Sequence, residues 1–145
     1  MRRNHIALGL ALVTATTALA HQGVQNPAVL ARMDGMRAIA DNMKTLGQMA
    51  KGATDFDAAR ARAAAASIAR HAAATPQLFE TQETDPKSEA RPAIWSDFAD
   101  FAGKATELEA IAIGLSTSID DPADVKAAMA VLRANCKSCH SVYRE

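Results

Sequence analysis

The sequence predicts an all-α protein, an antiparallel four-helix bundle in the up-down-up-down arrangement. Apolar residues recur at steps of three and four in four separate segments, as amphipathic helices require. The chain is rich in alanine and only 4% aromatic, and it lacks the alternating runs of Val, Ile and Thr that are typical of strands. Two short turns and one longer crossover separate the four segments, which is the connectivity of such a bundle.

The first predicted helix begins at Asn26-Pro27 and ends at Lys51-Gly52. Asn caps the helix, Pro is tolerated at the first helical position, and Gly ends it. The predicted seam is Val29, Met33, Met36, Ala40, Met43, Gly47 and Ala50, flanked by Leu30, Ile39, Leu46 and Met49.

The second predicted helix begins near Thr54-Asp55 and runs to about Ala74, because Thr75-Pro76 stops it. Small residues on one face permit close approach to a neighbouring helix or to a second copy of the chain. This face comprises Ala59, Ala63, Ala66, Ile68, Ala69 and Ala73. Residues 75–91 show no clear period and are interpreted as a crossover loop.

The third predicted helix begins at Pro92 and ends near Thr117, and it holds most of the aromatic residues. The fourth begins with the cap-plus-proline sequence Asp120-Asp121-Pro122. Its apolar face is Val125, Met129, Leu132, Cys136, Cys139 and Tyr143. The two cysteines therefore occupy positions that face the bundle interior.

Five residues near the C-terminus, Cys136-Lys137-Ser138-Cys139-His140, match the Cys-x-x-Cys-His signature of covalent haem attachment. The thiols form thioethers with the haem vinyl groups, and the neutral imidazole ligates the iron. On a helix, the two cysteines and the histidine share one face. The motif therefore predicts one covalently bound haem c per chain, on the fourth helix.

The two cysteines also allow three other interpretations. A redox dithiol needs a neighbouring βαβ pattern, and none is present in the sequence. A zinc site needs four ligands, whereas the chain has 2 Cys and 4 His, two of them near the N-terminus. A structural disulfide in an exported chain stays an alternative.

Residues 1–20 resemble a secretory signal peptide. Arg2 and Arg3 precede the apolar run 6–13, and Ala18-Leu19-Ala20 forms a small-residue cleavage site. Cleavage would leave a mature domain of residues 21–145 in the periplasm, with 14 basic and 16 acidic residues and no membrane span. Nothing in this charge balance recruits nucleic acid or an anionic membrane.

Three sequence blocks carry a family resemblance: VLARMDGMRAIADNMKTLGQMAKG, DPKSEARPAIWSDFADF and CKSCHSVYR. With them the chain resembles the class II c-type cytochromes, the cytochrome c′ family, and its methionine-rich first helix looks like that of the low-spin, methionine-ligated members. The resemblance implies that Cys136 and Cys139 hold the haem, that His140 is the proximal iron ligand and that Met36 is the distal one.

Two arginines are expected near the haem. Arg32 matches the arginine that family members place near a haem propionate, where charge-assisted pairing is favourable. Arg144 follows His140 by one helical turn, which puts its guanidinium near the proximal ring.

The expected function is one-electron transfer with His/Met iron ligation, in exchange with periplasmic redox proteins. The alternative is a five-coordinate, high-spin protein that binds nitric oxide or carbon monoxide. The sequence shows no catalytic constellation, so we expect a protein that is not an enzyme. Members of the family that the chain resembles commonly form dimers through their first two helices. The resemblance therefore also allows a homodimer here.

Overall fold

The computed structural model describes residues 23–145, in which the chain forms five α-helices. The predicted signal peptide, residues 1–20, lies outside the described residues. The helices are α1 (Pro27–Ala50), α2 (Ala58–Leu78), α3 (Ala93–Ser96), α4 (Phe98–Ser118) and α5 (Pro122–Tyr143). The predicted all-α class is confirmed, and α3 is a single extra turn.

The four long helices form a closed bundle. Helix α2 packs against α1 and α4, and α5 packs against the same two helices. Residues 51–57 join α1 to α2, residues 119–121 join α4 to α5, and the longer crossover 79–92 leads from α2 to α3. This arrangement is the predicted up-down-up-down bundle.

Helix α1 begins and ends as predicted. The Asn26 side chain accepts hydrogen bonds from the amides of Ala28 (2.9 Å) and Val29 (3.1 Å), and Gly52 adopts a positive φ of 68° beyond the last turn. The predicted buried face is confirmed for the flanking residues Ile39, Leu46 and Met49 and for Gly47 of the seam, whereas Ala40 is exposed. Ala40 instead lines a cavity, together with three methionines of α1.

Helix α2 departs from its predicted limits. It begins after Asp57, whose carboxylate accepts from the amide of Arg60, and it continues through Pro76 to Leu78. The prediction that Pro76 ends the helix is therefore wrong; proline removes one amide donor but leaves the rest of the last turn intact. The buried face is also rotated from the predicted one, because its contacts with both α1 and α4 set its orientation. It consists of Ala61, Ala64, Ala65, Ile68, Ala69, Ala72 and Thr75.

The predicted third helix is interrupted at Asp97. This residue has φ −136° and ψ 61°, outside the helical region, and it ends α3 and caps α4. Its carboxylate accepts from the amide of Asp100 at 3.3 Å. Two residues earlier, the Trp95 indole Nε1 donates to the carbonyl of Phe79 at 2.7 Å. The short helix α3 thereby fastens the start of the crossover to the bundle.

The buried side chains separate into two clusters. The aliphatic core lies at the end of the bundle that holds the connections 51–57 and 119–121, and it includes Leu46, Ile68, Ile119 and Leu132. The aromatic cluster lies at the opposite end, beside the crossover, and consists of Phe79, Ile94, Phe101 and Tyr143.

Candidate haem-binding site

A cavity of about 780 Å³ opens at the crossover end of the bundle. Its lining comes from α1, α2, α4, α5 and the crossover, and includes Met36 together with Cys136, Cys139 and His140. This volume lies in the range of about 300–1,000 Å³ that is typical of cofactor and ligand sites. The structure thus brings all four residues of the predicted ligand set to one cavity.

The two cysteines are half-buried free thiols, not a disulfide. Burial raises the pKa of both, and for Cys139 the nearby Lys104 opposes that effect. Within residues 23–145, no three His, Cys, Asp or Glu side chains are grouped as a metal site would need. The disulfide and zinc alternatives therefore have no support in the described part of the chain.

His140 is exposed at the mouth of the cavity. The partial desolvation of its ring lowers its pKa, the positive charge of Arg144 lowers it further, and Glu89 opposes both. These effects favour the neutral imidazole, which is the form that ligates iron.

Helix α1 forms another wall of the cavity. Three half-buried methionines, Met33, Met36 and Met43, line it, together with Arg37. Helix α1 packs directly against α5, so the methionines line the same cavity as the cysteines and His140, from the neighbouring helix. Methionine is adaptable and fills irregular space well, so lining alone does not distinguish a ligand from packing.

Arg32 is almost completely buried, with 3% of its surface exposed. Its guanidinium donates to three crossover-side carbonyls, those of Leu78 (2.9 Å), Thr81 (2.5 Å) and Glu83 (2.9 Å). It also lies 4.7 Å from the centre of the Phe79 ring. Burial lowers the pKa of Arg32, and Glu83 opposes that shift. Arg32 therefore holds the start of the crossover onto α1 and also lines the cavity.

The middle of the crossover is attached to the start of α1. The Asp85 carboxylate accepts from the amides of Gln25 (2.9 Å) and Asn26 (3.2 Å) and from that of Lys87 (2.9 Å). These hydrogen bonds, led by the one from Lys87, lower the pKa of Asp85. Asn26 in turn donates from Nδ2 to Glu83 at 2.9 Å.

The end of the crossover pairs with the end of the chain, just beyond His140. The Arg91 amide donates to the Tyr143 carbonyl at 3.0 Å, and the Glu145 amide donates to the Glu89 carbonyl at 2.9 Å. The Arg144 Nε donates to the Glu89 carboxylate at 2.5 Å. The crossover is thus fixed at three places, and it forms one rim of the cavity.

Tyr143 lines the cavity beside α4. Its ring is buried and meets Phe101 edge-on at 5.4 Å, and its hydroxyl donates to Asp100 at 2.6 Å. This hydrogen bond is the main cause of the raised pKa of Tyr143. The tyrosine therefore links the attachment helix to the first turn of α4.

Some cavity residues were not identified from the sequence. Lys104 on α4 donates to Ser138 at 3.4 Å, and Glu89 pairs with Arg144; both line the cavity. Asn135 is buried beside Cys136 and also lines the cavity. Asn135 had a detectable signal, because it is a polar residue on the inward side of an otherwise apolar helix face. Lys104 and Glu89 could not be identified in this way, because their roles depend on which helices and loops contact each other in the fold.

The residues of this cavity suit a haem. The cavity walls are mostly apolar, two unpaired thiols and an imidazole lie along one wall, and the buried amide of Asn135 faces the interior without a partner among the described residues. The sequence profile described as Cytochrome C′ matches residues 27–144. The chain belongs to the cytochrome c′ family.

Individual relatives agree with this assignment. The chain is 39% identical over 113 residues to cytochrome c-556 of Agrobacterium fabrum, covering 75% of each protein. The structure matches cytochrome c′ from Rhodopseudomonas palustris with a TM-score of 0.77 and 31% identity, over 83% of this chain and 98% of the other. It also matches a nitric oxide complex of a cytochrome c prime mutant from Alcaligenes xylosoxidans, with a TM-score of 0.71 and 29% identity over 81% and 94%.

Membership of the family confirms the predicted fold and the predicted cofactor, one covalently bound haem c per chain. The relatives support a haem c protein of the electron-carrier class. No helix among residues 23–145 is long and apolar enough to cross a bilayer. The roles of the individual site residues stay predictions. These residues are Cys136, Cys139, His140, Met36, Arg32 and Arg144.

Proposed function

We propose that this cytochrome is a periplasmic one-electron carrier with His/Met iron ligation. In this proposal Cys136 and Cys139 form the thioethers to haem c, His140 is the proximal ligand and Met36 is the distal ligand. The protein exchanges electrons with other periplasmic redox proteins, after export directed by residues 1–20. N-terminal sequencing of the mature protein is expected to begin at His21.

The observation that carries the proposal is that Met36 and His140 line the same cavity from two helices that pack against each other. The bound haem supplies reversible one-electron chemistry at iron. A thioether is a soft ligand that favours ferrous over ferric iron, so Met36 ligation raises the reduction potential relative to a harder ligand. A neutral imidazole at His140 completes the pair, and its lowered pKa supports that form.

The surrounding residues hold this site in shape. Arg32 uses three N–H groups on backbone carbonyls and retains two for a haem carboxylate. The Arg144 guanidinium forms an ion pair with Glu89. The carboxylate therefore offsets part of the positive charge that Arg144 places near His140. The crossover forms one rim of the cavity, so it would shield that side of a bound haem from water.

The ferric absorption spectrum at neutral pH tests the ligand assignment. We expect low-spin bands with a weak far-red charge-transfer band from thioether ligation in the wild-type protein. Met36→Ala is expected to convert the spectrum to high spin. Met33→Ala is the matched control, because Met33 is another half-buried methionine of α1 that lines the cavity. High-spin wild-type protein, or an unchanged Met36→Ala spectrum, would contradict Met36 ligation.

A second candidate is a five-coordinate gas-binding protein. It is favoured by the structural match to a nitric oxide complex of the Alcaligenes xylosoxidans protein. Rapid carbon monoxide binding by the reduced wild-type protein, at the same rate as Met36→Ala, would support this function over the carrier. Slow binding that accelerates in Met36→Ala would support ligation by Met36.

A further inference from the structure

Asn135 differs from the other buried polar residues. Residues 23–145 bury four polar or charged side chains, Arg32, Thr75, Asp85 and Asn135. Arg32 donates to three carbonyls, Thr75 donates to the carbonyl of His71 at 2.9 Å, and Asp85 accepts from three amides. In the described part of the chain, the Asn135 amide has no hydrogen-bond partner, although only 7% of the residue is exposed.

The remaining accessible surface of Asn135 opens into the cavity. No fully enclosed side-chain nitrogen or oxygen among residues 23–145 lacks a partner, so the Asn135 amide retains some contact with open space. Asn135 also lines the cavity, directly before Cys136 and one helical turn before Cys139. The free amide therefore faces the place where the thioether edge of the haem is expected.

The chemistry of that edge determines which end of the amide turns toward it. A thioether sulfur and a porphyrin π-system accept hydrogen bonds weakly and donate none. The Nδ2–H₂ group is the end that gains from this contact, whereas the amide oxygen gains nothing. An N–H dipole that points at the cofactor places positive charge beside it, which favours the state with one more electron.

We propose that Asn135 hydrogen-bonds through Nδ2 to the thioether edge of haem c and thereby favours reduced iron. This inference rests on the proposed electron-carrier function and adds to it a residue that tunes the reduction potential. Buried unpaired amides are rare because they lose hydrogen bonds to water. The bound haem supplies the missing partner.

The midpoint potential of the haem-loaded protein tests this role. Removing Asn135 is expected to shift the potential in opposite directions, depending on whether the amide donates to the haem or is only a polar group near it. If Asn135 were only a polar group near the iron, its removal would make the site more apolar and disfavour the more highly charged ferric state, which raises the potential. Loss of a donor directed at the haem lowers the potential instead. We expect Asn135→Leu and Asn135→Ala each to lower the equilibrium constant for reduction by about threefold to tenfold, where tenfold is 59 mV.

Asn42→Ala is the matched control. The Asn42 amide is half-buried in α1, donates to Ser67 at 3.1 Å and to Ala38 at 2.8 Å, and does not line the cavity. This variant is expected to keep the wild-type potential. All variants are compared at equal haem content and with the ferric absorption spectrum recorded, so that a change in axial ligation is detected separately.

Two outcomes would overturn the inference. They are a potential that stays at the wild-type value in both Asn135 variants, and a potential that rises in them. Using two variants of different size keeps the test decisive if Asn135→Leu does not bind haem. Wild-type protein without a reversible one-electron couple would refute the proposed function itself, which is a different result from an unshifted couple.

Discussion

The two ends of the bundle are built differently. At the end that holds the short connections, Leu46, Ile68, Ile119 and Leu132 have no exposed surface, and protein atoms alone fill the core. At the crossover end, aromatic residues surround a cavity, and Met36 and Cys139 stay half-buried. The first end is complete in the polypeptide, whereas the second leaves a cavity whose residues suit a haem.

This difference shows that one end of the bundle mainly stabilises the fold, whereas the other end forms the candidate site. Close packing of aliphatic side chains stabilises the first end through burial of apolar surface. The second end is held together by hydrogen bonds and ring contacts around an open volume, with the crossover fastened to α1 and to the chain end. Changes at each end should therefore produce different kinds of defect.

The largest effect is expected when both attachment thiols are removed. The double variant Cys136→Ser with Cys139→Ser should contain no covalent haem, and its free energy of unfolding should fall by about 5 kcal/mol, a large part of the roughly 5–15 kcal/mol that is usual for a small domain. Hydrogen exchange should accelerate most around Phe79 and Tyr143, and least around Leu46. Lys137→Ala, at the exposed residue between the cysteines, is the control. Equal protection at both ends of the haem-free protein would refute the comparison.

A smaller effect is expected in the aliphatic core. Leu46 is 0% exposed, so Leu46→Ala should lower the free energy of unfolding by about 2–5 kcal/mol through lost burial and a residual cavity. The absorption spectrum should stay that of the wild type, because Leu46 does not line the haem cavity. Ile113→Ala, at a residue 53% exposed, should change stability by about 0.5 kcal/mol or less. A spectral change in Leu46→Ala would show that the two ends are coupled.

The smallest effect is expected from Tyr143→Phe, which removes the hydrogen bond to Asp100. Asp100 is exposed and regains water, so we expect a loss of about 1 kcal/mol in urea unfolding at pH 7. Folding raises the pKa of Tyr143, so the unfolded chain loses this proton first and wild-type stability falls as the pH rises above about 10. The variant should lack this component of the alkaline loss. If the free energy of unfolding fell equally with pH in the wild type and in Tyr143→Phe, this prediction would be refuted.

Much of the fold was predictable because it depends on local signals. The Asn26 cap, the Gly52 stop and the start of α5 at Pro122 follow from backbone preferences of single residues, and all three are confirmed. The predicted end of α2 before Pro76 was wrong, because packing against α1 and α4 outweighs the loss of one hydrogen bond. The break at Asp97 was also missed, since it depends on contacts between α3 and the crossover.

The sequence by itself determined the helical class, the family and the haem motif, because periodicity, capping and the Cys-x-x-Cys-His spacing are local in the chain. Only the tertiary structure decided that Arg32 is bound to three crossover carbonyls and that Glu89 reaches Arg144. It also left the Asn135 amide open to the cavity. These features join residues far apart in the chain, and the approach of the helices, rather than any local pattern, brings them together.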